Sequence, residues 1–254
     1  MDKEFLYEML KTDSVSGNEI KLQKKILKHY QNVADQQLTD ETGNVIQVIN
    51  PQSPLKILLS GHSDEIGLVI TGITSDGYLK VAQAGGIYPS TYLGHPICVH
   101  TANKEVYGSV VCTRALAKNN DLTSHDLTID IGCSNKEEAQ ELVSIGDTIT
   151  FDTQVRLMAN DKFTARAIDD RGGAFIILEA MKKAKAMGCK NGVYASTSVG
   201  EETTMRGAYF SASRVEPTMA IIVDVTYASD YPGVNPYDSG DVQLGNGPVL
   251  CRSS

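Results

Sequence analysis

Three short apolar runs, LKILLS (55–60), GVYASTSV (192–199) and MAIIVDV (219–225), each give way to polar, mostly acidic residues. Continuous apolar runs of this length suit strands covered on both faces, as at the centre of an α/β sheet. Between the first two runs the texture changes. From 68 to 158 the segments LVITGIT, YLKVAQA, PICVHT, VYGSVVCT, LTIDIG and DTITFD alternate and are separated by Gly, Asp and Asn. Many short strands with regular turns indicate a β-barrel or sandwich module. One helical interruption, SNKEEAQELVSI (134–145), breaks the series. The pattern predicts one α/β domain, 1–67 with 159–254, interrupted by a β-rich insert, 68–158.

Local signals fill in the α/β part. Ser16 followed by Glu19 forms a capping-box pattern, and Ile20, Leu22, Ile26 and Leu27 supply an apolar helix face. NVIQVIN (44–50) alternates like a strand and is followed by a turn marked by Pro51, Ser53 and Pro54. RGGAFIILEAMKKAKAMG (171–188) predicts an amphipathic helix stopped at a glycine, and Arg206 to Ser213 reads as helical.

Lys and Arg total 23 against 31 Asp and Glu, a formal charge of −8. An acidic chain with no basic cluster is poorly suited to nucleic acid or an anionic membrane. No apolar run approaches the roughly 20 residues that cross a bilayer. MDKEFLYEMLK carries acidic residues where a secretory signal has a basic head, so a cytoplasmic location is expected. The five cysteines (98, 112, 133, 189, 251) never form CxxC. Each reads as a small buried hydrophobe, and any metal is expected on His and carboxylates.

Sites in open α/β sheets form beyond the carboxyl ends of strands, and four segments occupy such positions. Ser60-Gly61-His62-Ser63-Asp64-Glu65 follows LKILL and reads either as a solvated loop or as a metal-binding His whose other ring nitrogen is held by Asp64. Asp169-Asp170-Arg171-Gly172-Gly173 opens the long helix, as dipole-favoured caps or as a carboxylate bridging two ions roughly 3.5–4 Å apart. Glu201-Glu202 follows the second run, as a charged turn or as a ligand beside a general base. Asp224 ends the third, as a ligand or as a cap for TYASDYPG. Together they form an imidazole-and-oxygen set suited to zinc, cobalt or manganese.

The order and flanks of these segments resemble the glutamyl aminopeptidase family of dinuclear metallopeptidases, which includes the tetrahedral aminopeptidases. The matching stretches are Ser16-Gly17-Asn18-Glu19, GHSDEIG (61–67), ARAIDDRGG (165–173), VGEETTMRGA (199–208) and VDVTYASDYPG (223–233), with DIGCSNKEEAQ (130–140) in the insert. The resemblance implies a mixed-sheet α/β/α metallopeptidase domain interrupted by a β-barrel-like dimerisation domain. It implies His62 and Asp224 on one metal, Glu202 on the other and Asp169 bridging both. Glu201 would be the general base and Asp64 the carboxylate behind His62, and Asp170 would follow a strained peptide bond.

On that basis the expected activity is removal of N-terminal residues from peptides with a free N-terminus. Two divalent ions, zinc or cobalt, would assist, and the expected assembly is dimers building a dodecamer. The alternatives are another dinuclear-metal hydrolase (a carboxypeptidase or an N-acyl amino acid deacylase) or a catalytically impaired assembly protein of the same fold. A glycosidase built on the paired carboxylates leaves His62 and Asp224 without a role. The family pattern adds one further histidine near the C-terminus to the Glu202 metal, whereas no His follows His125 here. The other histidines, His29, His95 and His100, sit on the first helix or in the β insert. The sequence therefore reads as lacking a C-terminal part of the catalytic domain, with the Glu202 site a ligand short and some core left exposed.

Overall fold

The computed structural model describes residues 1–252. Met1–Asp224 form one unit and the chain from Val225 a second. In the first, α1 (Lys3–Lys11), α2 (Ile20–Tyr30), β1 (Gln36–Thr39), β2 (Val45–Ile49) and β3 (Lys56–His62) come in order. The strands β4 (Gly67–Ile73), β5 (Leu79–Ala84), β6 (Pro96–His100), β7 (Glu105–Val110), β8 (Thr128–Asp130) and β9 (Thr148–Phe151) then close a barrel in the order β4-β5-β8-β7-β6-β9. Its one α-helix among the described residues, α3 (Lys136–Leu142), falls within the predicted helical interruption. A small hairpin, β10 (Arg156–Leu157) and β11 (Phe163–Thr164), leads to α4 (Ile168–Ala186), β12 (Gly192–Ser198), α5 (Glu201–Thr204), α6 (Arg206–Val215) and β13 (Met219–Ile222).

The five-stranded sheet has the order β1-β2-β12-β3-β13; β3 runs parallel to both β12 and β13. All five residues of β2 are buried, rather than half of them as its alternation suggests. The reason is that both faces are covered. Val45 and Ile49 join Leu22, Ile26, Phe175 and Leu178 from α2 and α4 in one core. Ile46 and Val48 face the other way, onto Leu58, Tyr194 and Val215 of α6. The result is an α/β/α sandwich. The third apolar run behaves differently: β13 is an edge strand, and Met219, Ile221 and Ile222 are exposed.

The barrel has its own core, in which Leu68, Ile70, Leu79, Val81, Ile97, Val99, Ile129 and Ile149 point inward. The second unit contains α7 (Pro236–Ser239), capped by Asn235, and a loop closed by Ser229 N–H donating to Val242 O at 2.7 Å. No helix among the described residues is long and apolar enough to cross a membrane.

Two local readings change. The Ser16/Glu19 capping box does not form: α2 begins at Ile20, and the Glu19 carboxylate accepts from Gly17 N–H and Gly200 N–H instead. The cysteines are not uniformly buried either. Cys98 is, but Cys112 and Cys251 are exposed and Cys133 and Cys189 lie between. α1, which buries Phe5, Met9 and Leu10, matters because of Arg171. That side chain is fully buried, its Nη1 donating to Met9 O at 2.8 Å and its Nη2 to Ser14 Oγ at 2.6 Å and Glu65 Oε1 at 2.5 Å.

Burial disfavours the Glu65 charge, but Arg171 and Arg166 outweigh it and hold the carboxyl well below its usual range. Removing one member of such a pair strands the other in the interior. Arg171→Ala should therefore cost about 3–5 kcal/mol, read as a lower urea midpoint at unchanged slope; a loss within about 0.5 kcal/mol would contradict this account.

Candidate metal centre

The parallel strands β3, β12 and β13 share a direction, so their carboxyl ends emerge at one edge of the sheet. His62 is the last residue of β3, Glu201 and Glu202 lie three and four residues beyond β12, and Asp224 lies two beyond β13. Asp169 enters from the start of α4, where Asp169 and Asp170 carry non-helical torsions and the peptide bond between them is cis. Donor atoms of His62, Asp169 and Asp224 lie within 4.8 Å of one another. His62 Nε2 is 3.1 Å from Asp169 Oδ1 and 3.7 Å from Glu201 Oε2. Its other nitrogen, Nδ1, is 3.1 Å from the Asp64 carbonyl and 3.4 Å from Asp64 Oδ1.

Asp64 has a second task that spacing alone did not reveal. Its Oδ1 accepts from Glu201 N–H at 3.0 Å and its Oδ2 from Glu202 N–H at 3.1 Å. One fully buried carboxylate thus fixes both the imidazole and the turn that carries the two glutamates. Glu19 supports the same turn by accepting from Gly200 N–H at 3.0 Å. Its place within SGNE was a signal, but a local cap was the simpler reading of it. Asp170 is buried behind His62, accepting from His62 N–H at 3.0 Å and from Gly173 N–H at 3.1 Å. That packing explains the flanking glycines. A Cβ at Gly61 would meet Asp170 Oδ2 at 2.9 Å, and one at Gly173 would meet Asp170 Oδ1 at 2.3 Å.

The barrel also reaches the centre. A Cβ on Gly85, just past β5, would meet Glu202 Cβ at 3.1 Å, so this loop lies against the Glu202 side chain. Glu202 is not part of the close group formed by His62, Asp169 and Asp224. His62 thus meets Asp169 and Asp224, with Glu201 3.7 Å from its Nε2, while Asp64 holds the opposite ring nitrogen from behind and Glu202 lies against the Gly85 loop of the barrel.

Electrostatics follow from this crowding. Burial disfavours His62⁺, but hydrogen bonds to Asp169 and Asp64 overcome it and push the imidazole up to about 11. Burial, with the Asp169 charge added, pushes Glu202 up to about 7. Burial, partly offset by His62 and reinforced by Asp224, pushes Asp170 up to about 8. Glu201 is raised by burial and by neighbouring carboxylates, against the opposing pull of His62. Among the described residues, the His62 imidazole faces Asp64, Asp169 and Glu201 directly, with Asp224 in the same close group. A set of one imidazole nitrogen and several carboxylate oxygens with this excess of negative charge fits a divalent cation.

The M42 glutamyl aminopeptidase family matches residues 43–254. A lysyl aminopeptidase of Pyrococcus furiosus is 30% identical over 261 residues, covering 98% of this chain and 73% of its own. The crystal structure of a TET aminopeptidase from a marine-sediment Thaumarchaeota archaeon superposes with a TM-score of 0.90 at 30% identity, over 96% of this chain and 70% of that one. The Pyrococcus horikoshii TET1 peptidase, described as assembling into a tetrahedron or a large octahedral shell, matches with a TM-score of 0.84 at 31% identity, over 96% and 73%. The chain belongs to the M42 glutamyl aminopeptidase family, whose members are metal-dependent aminopeptidases.

A ligating imidazole must be neutral, and His62 is held protonated far above neutral pH. Metal loading should therefore release protons, and affinity should weaken as pH falls, roughly tenfold per unit for each proton displaced. Calorimetric titration of zinc in two buffers of different ionisation enthalpy should report release of about one proton or more per ion at neutral pH. A buffer-independent heat would remove His62 as a ligand.

Proposed function

We propose that the chain acts as an aminopeptidase with a dinuclear metal centre in which His62 and Asp224 hold one ion, Glu202 the other, and Asp169 bridges the two. The observation that carries this reading is the meeting of His62, Asp169 and Asp224 within 4.8 Å, with Glu201 Oε2 3.7 Å from His62 Nε2. Two divalent ions, zinc or cobalt, supply Lewis acidity toward a peptide carbonyl and a lowered pKa for the attacking water when bound.

Glu201 is the general base. It is partly exposed, its Oε2 lies 3.7 Å from His62 Nε2, and burial together with neighbouring carboxylates raises its carboxyl, so it can take a proton from water and later deliver it to the leaving amine. Asp64 positions the pair, holding His62 from behind and presenting Glu201 and Glu202 through their backbone N–H groups. Asp170 orients the exit of β3 through His62 N–H and stays away from solvent. The crowded carboxylates also suit a substrate with a free, positively charged N-terminus.

Residues 68–158 form the dimerisation unit in this proposal, and 1–67 with 159–254 the catalytic part, giving dimers that build a dodecamer. Relatives of similar fold assembling as shells support that view. Sedimentation velocity should then find a species well above the 27.5 kDa of one chain; monomer alone would remove the assembly proposal and leave the chemistry standing.

The catalytic reading is tested with peptides. Free-amine peptides should be hydrolysed and N-acetylated ones spared, with activity lost to a chelator and restored by zinc or cobalt. Glu201→Gln should bind metal as the parent does while kcat falls about 10²–10⁴-fold. Unchanged kcat in that variant would overturn the assignment of the base.

A further inference from the structure

Strand β6 alternates strictly. Ile97 and Val99 point into the barrel core, so Cys98 and His100 point out of it. In the register with β7, His100 pairs with Glu105 and Cys98 with Tyr107, which places all four on the same outer face. That face packs against the segment between α1 and α2. His100 Nδ1 lies 3.7 Å from Asp13 Oδ2, and Lys21 Nζ sits 2.5 Å from Asp13 Oδ1 and 4.0 Å from Glu105 Oε1. A cleft of about 1140 Å³ opens there, lined by Asp13, Lys21, His100 and Glu105 among others.

Within this wall the donor atoms of Cys98, His100 and Glu105 lie within 4.8 Å of one another. The imidazole is already oriented. Its Nε2 is 2.8 Å from Thr150 Oγ1, which leaves Nδ1 directed at Cys98 Sγ, 3.9 Å away. A ligating histidine characteristically has its other nitrogen held in this manner. The three groups come from two paired strands, so their spacing is set by the sheet. Cys98 and His100 are buried, whereas Glu105 faces the cleft, which provides a route in and room for a water as fourth ligand.

We propose that Cys98, His100 and Glu105 form a second divalent metal site, on the outer wall of the barrel and separate from the centre at the sheet edge. A thiolate, an imidazole and a carboxylate are a borderline-soft set that selects zinc among the common biological divalent ions and accepts cobalt in its place. Binding replaces the thiol proton of Cys98, which passes to solvent. The carboxylates of Asp13 and Glu105 favour the cation, and Lys21 keeps its close pair with Asp13 while giving up the longer 4.0 Å contact with Glu105. The bound ion joins β6 to β7 next to the Asp13 segment.

Cobalt distinguishes this site from the other. The centre at the sheet edge offers only nitrogen and oxygen, so a sulfur-to-cobalt charge-transfer band in the near ultraviolet reports Cys98 alone. Titration of cobalt into the metal-stripped chain should produce that band. Cys98→Ser should abolish it and lower bound metal by about one ion per chain. Ser replacement of Cys112, Cys133, Cys189 or Cys251 should leave it intact. Glu105→Gln, at an exposed position that the fold tolerates, should keep the band but weaken cobalt binding about tenfold or more. Absence of the band, its survival in Cys98→Ser, or unchanged affinity in Glu105→Gln would overturn the proposal.

Discussion

The buried Arg171–Glu65 pair is the constraint on which the rest of the metal centre depends. Arg171 is fully buried, and its guanidinium draws together the end of α1, Ser14, the exit from β3 and the start of α4. Arg166 reaches the same Glu65 oxygen from the approach to α4. The desolvation of such a pair can outweigh its attraction, so its value lies less in net stability than in allowing few alternatives. One residue before Glu65 is Asp64, and one before Arg171 is Asp170. Fixing the ion pair therefore fixes two carboxylates that hold His62, Asp64 at its ring Nδ1 and Asp170 at its backbone N–H.

Around that anchor the chain accumulates negative charge that an interior ordinarily avoids. Asp64 and Asp170 are fully buried, and His62 is nearly so. Backbone N–H groups of His62, Gly173, Glu201 and Glu202 absorb part of the cost by donating to these carboxylates. Burial first, and the neighbouring carboxylates after it, raise Glu201 and Glu202, while hydrogen bonds to Asp169 and Asp64 hold a proton on His62. Such a cluster fits a divalent cation, and membership of a metallo-aminopeptidase family agrees with it. The barrel is a neighbour in this arrangement, since its Gly85 loop lies against Glu202.

Much of this arrangement is legible in the sequence. His62, Asp169, Glu201, Glu202 and Asp224 stood out because each lies just beyond an apolar run or opens a helix, and the parallel sheet then brings their strands to one edge. Glu19 was legible as a residue but not as a role. Its cap-like spacing to Ser16 is local, whereas its actual partner, Gly200 N–H, lies 181 residues away. β13 read as a buried strand because its composition is apolar, but burial depends on neighbours, and the strand order places it at an edge. Cys98 is buried as its sequence context suggests, but its neighbours His100 and Glu105 follow only from the pairing of β6 with β7.

By itself the sequence determined most of the strands and helices and which polar residues stand just beyond them, because periodicity and strand length are properties of a few consecutive residues. Only the tertiary structure decided which of those ends meet. His62 and Asp169 are 107 positions apart, and Arg171 and Glu65 are 106 apart. Contacts at that range depend on strand order, register and the direction of each side chain, and these are settled when two faces of one sheet are covered and a buried charge finds its partner.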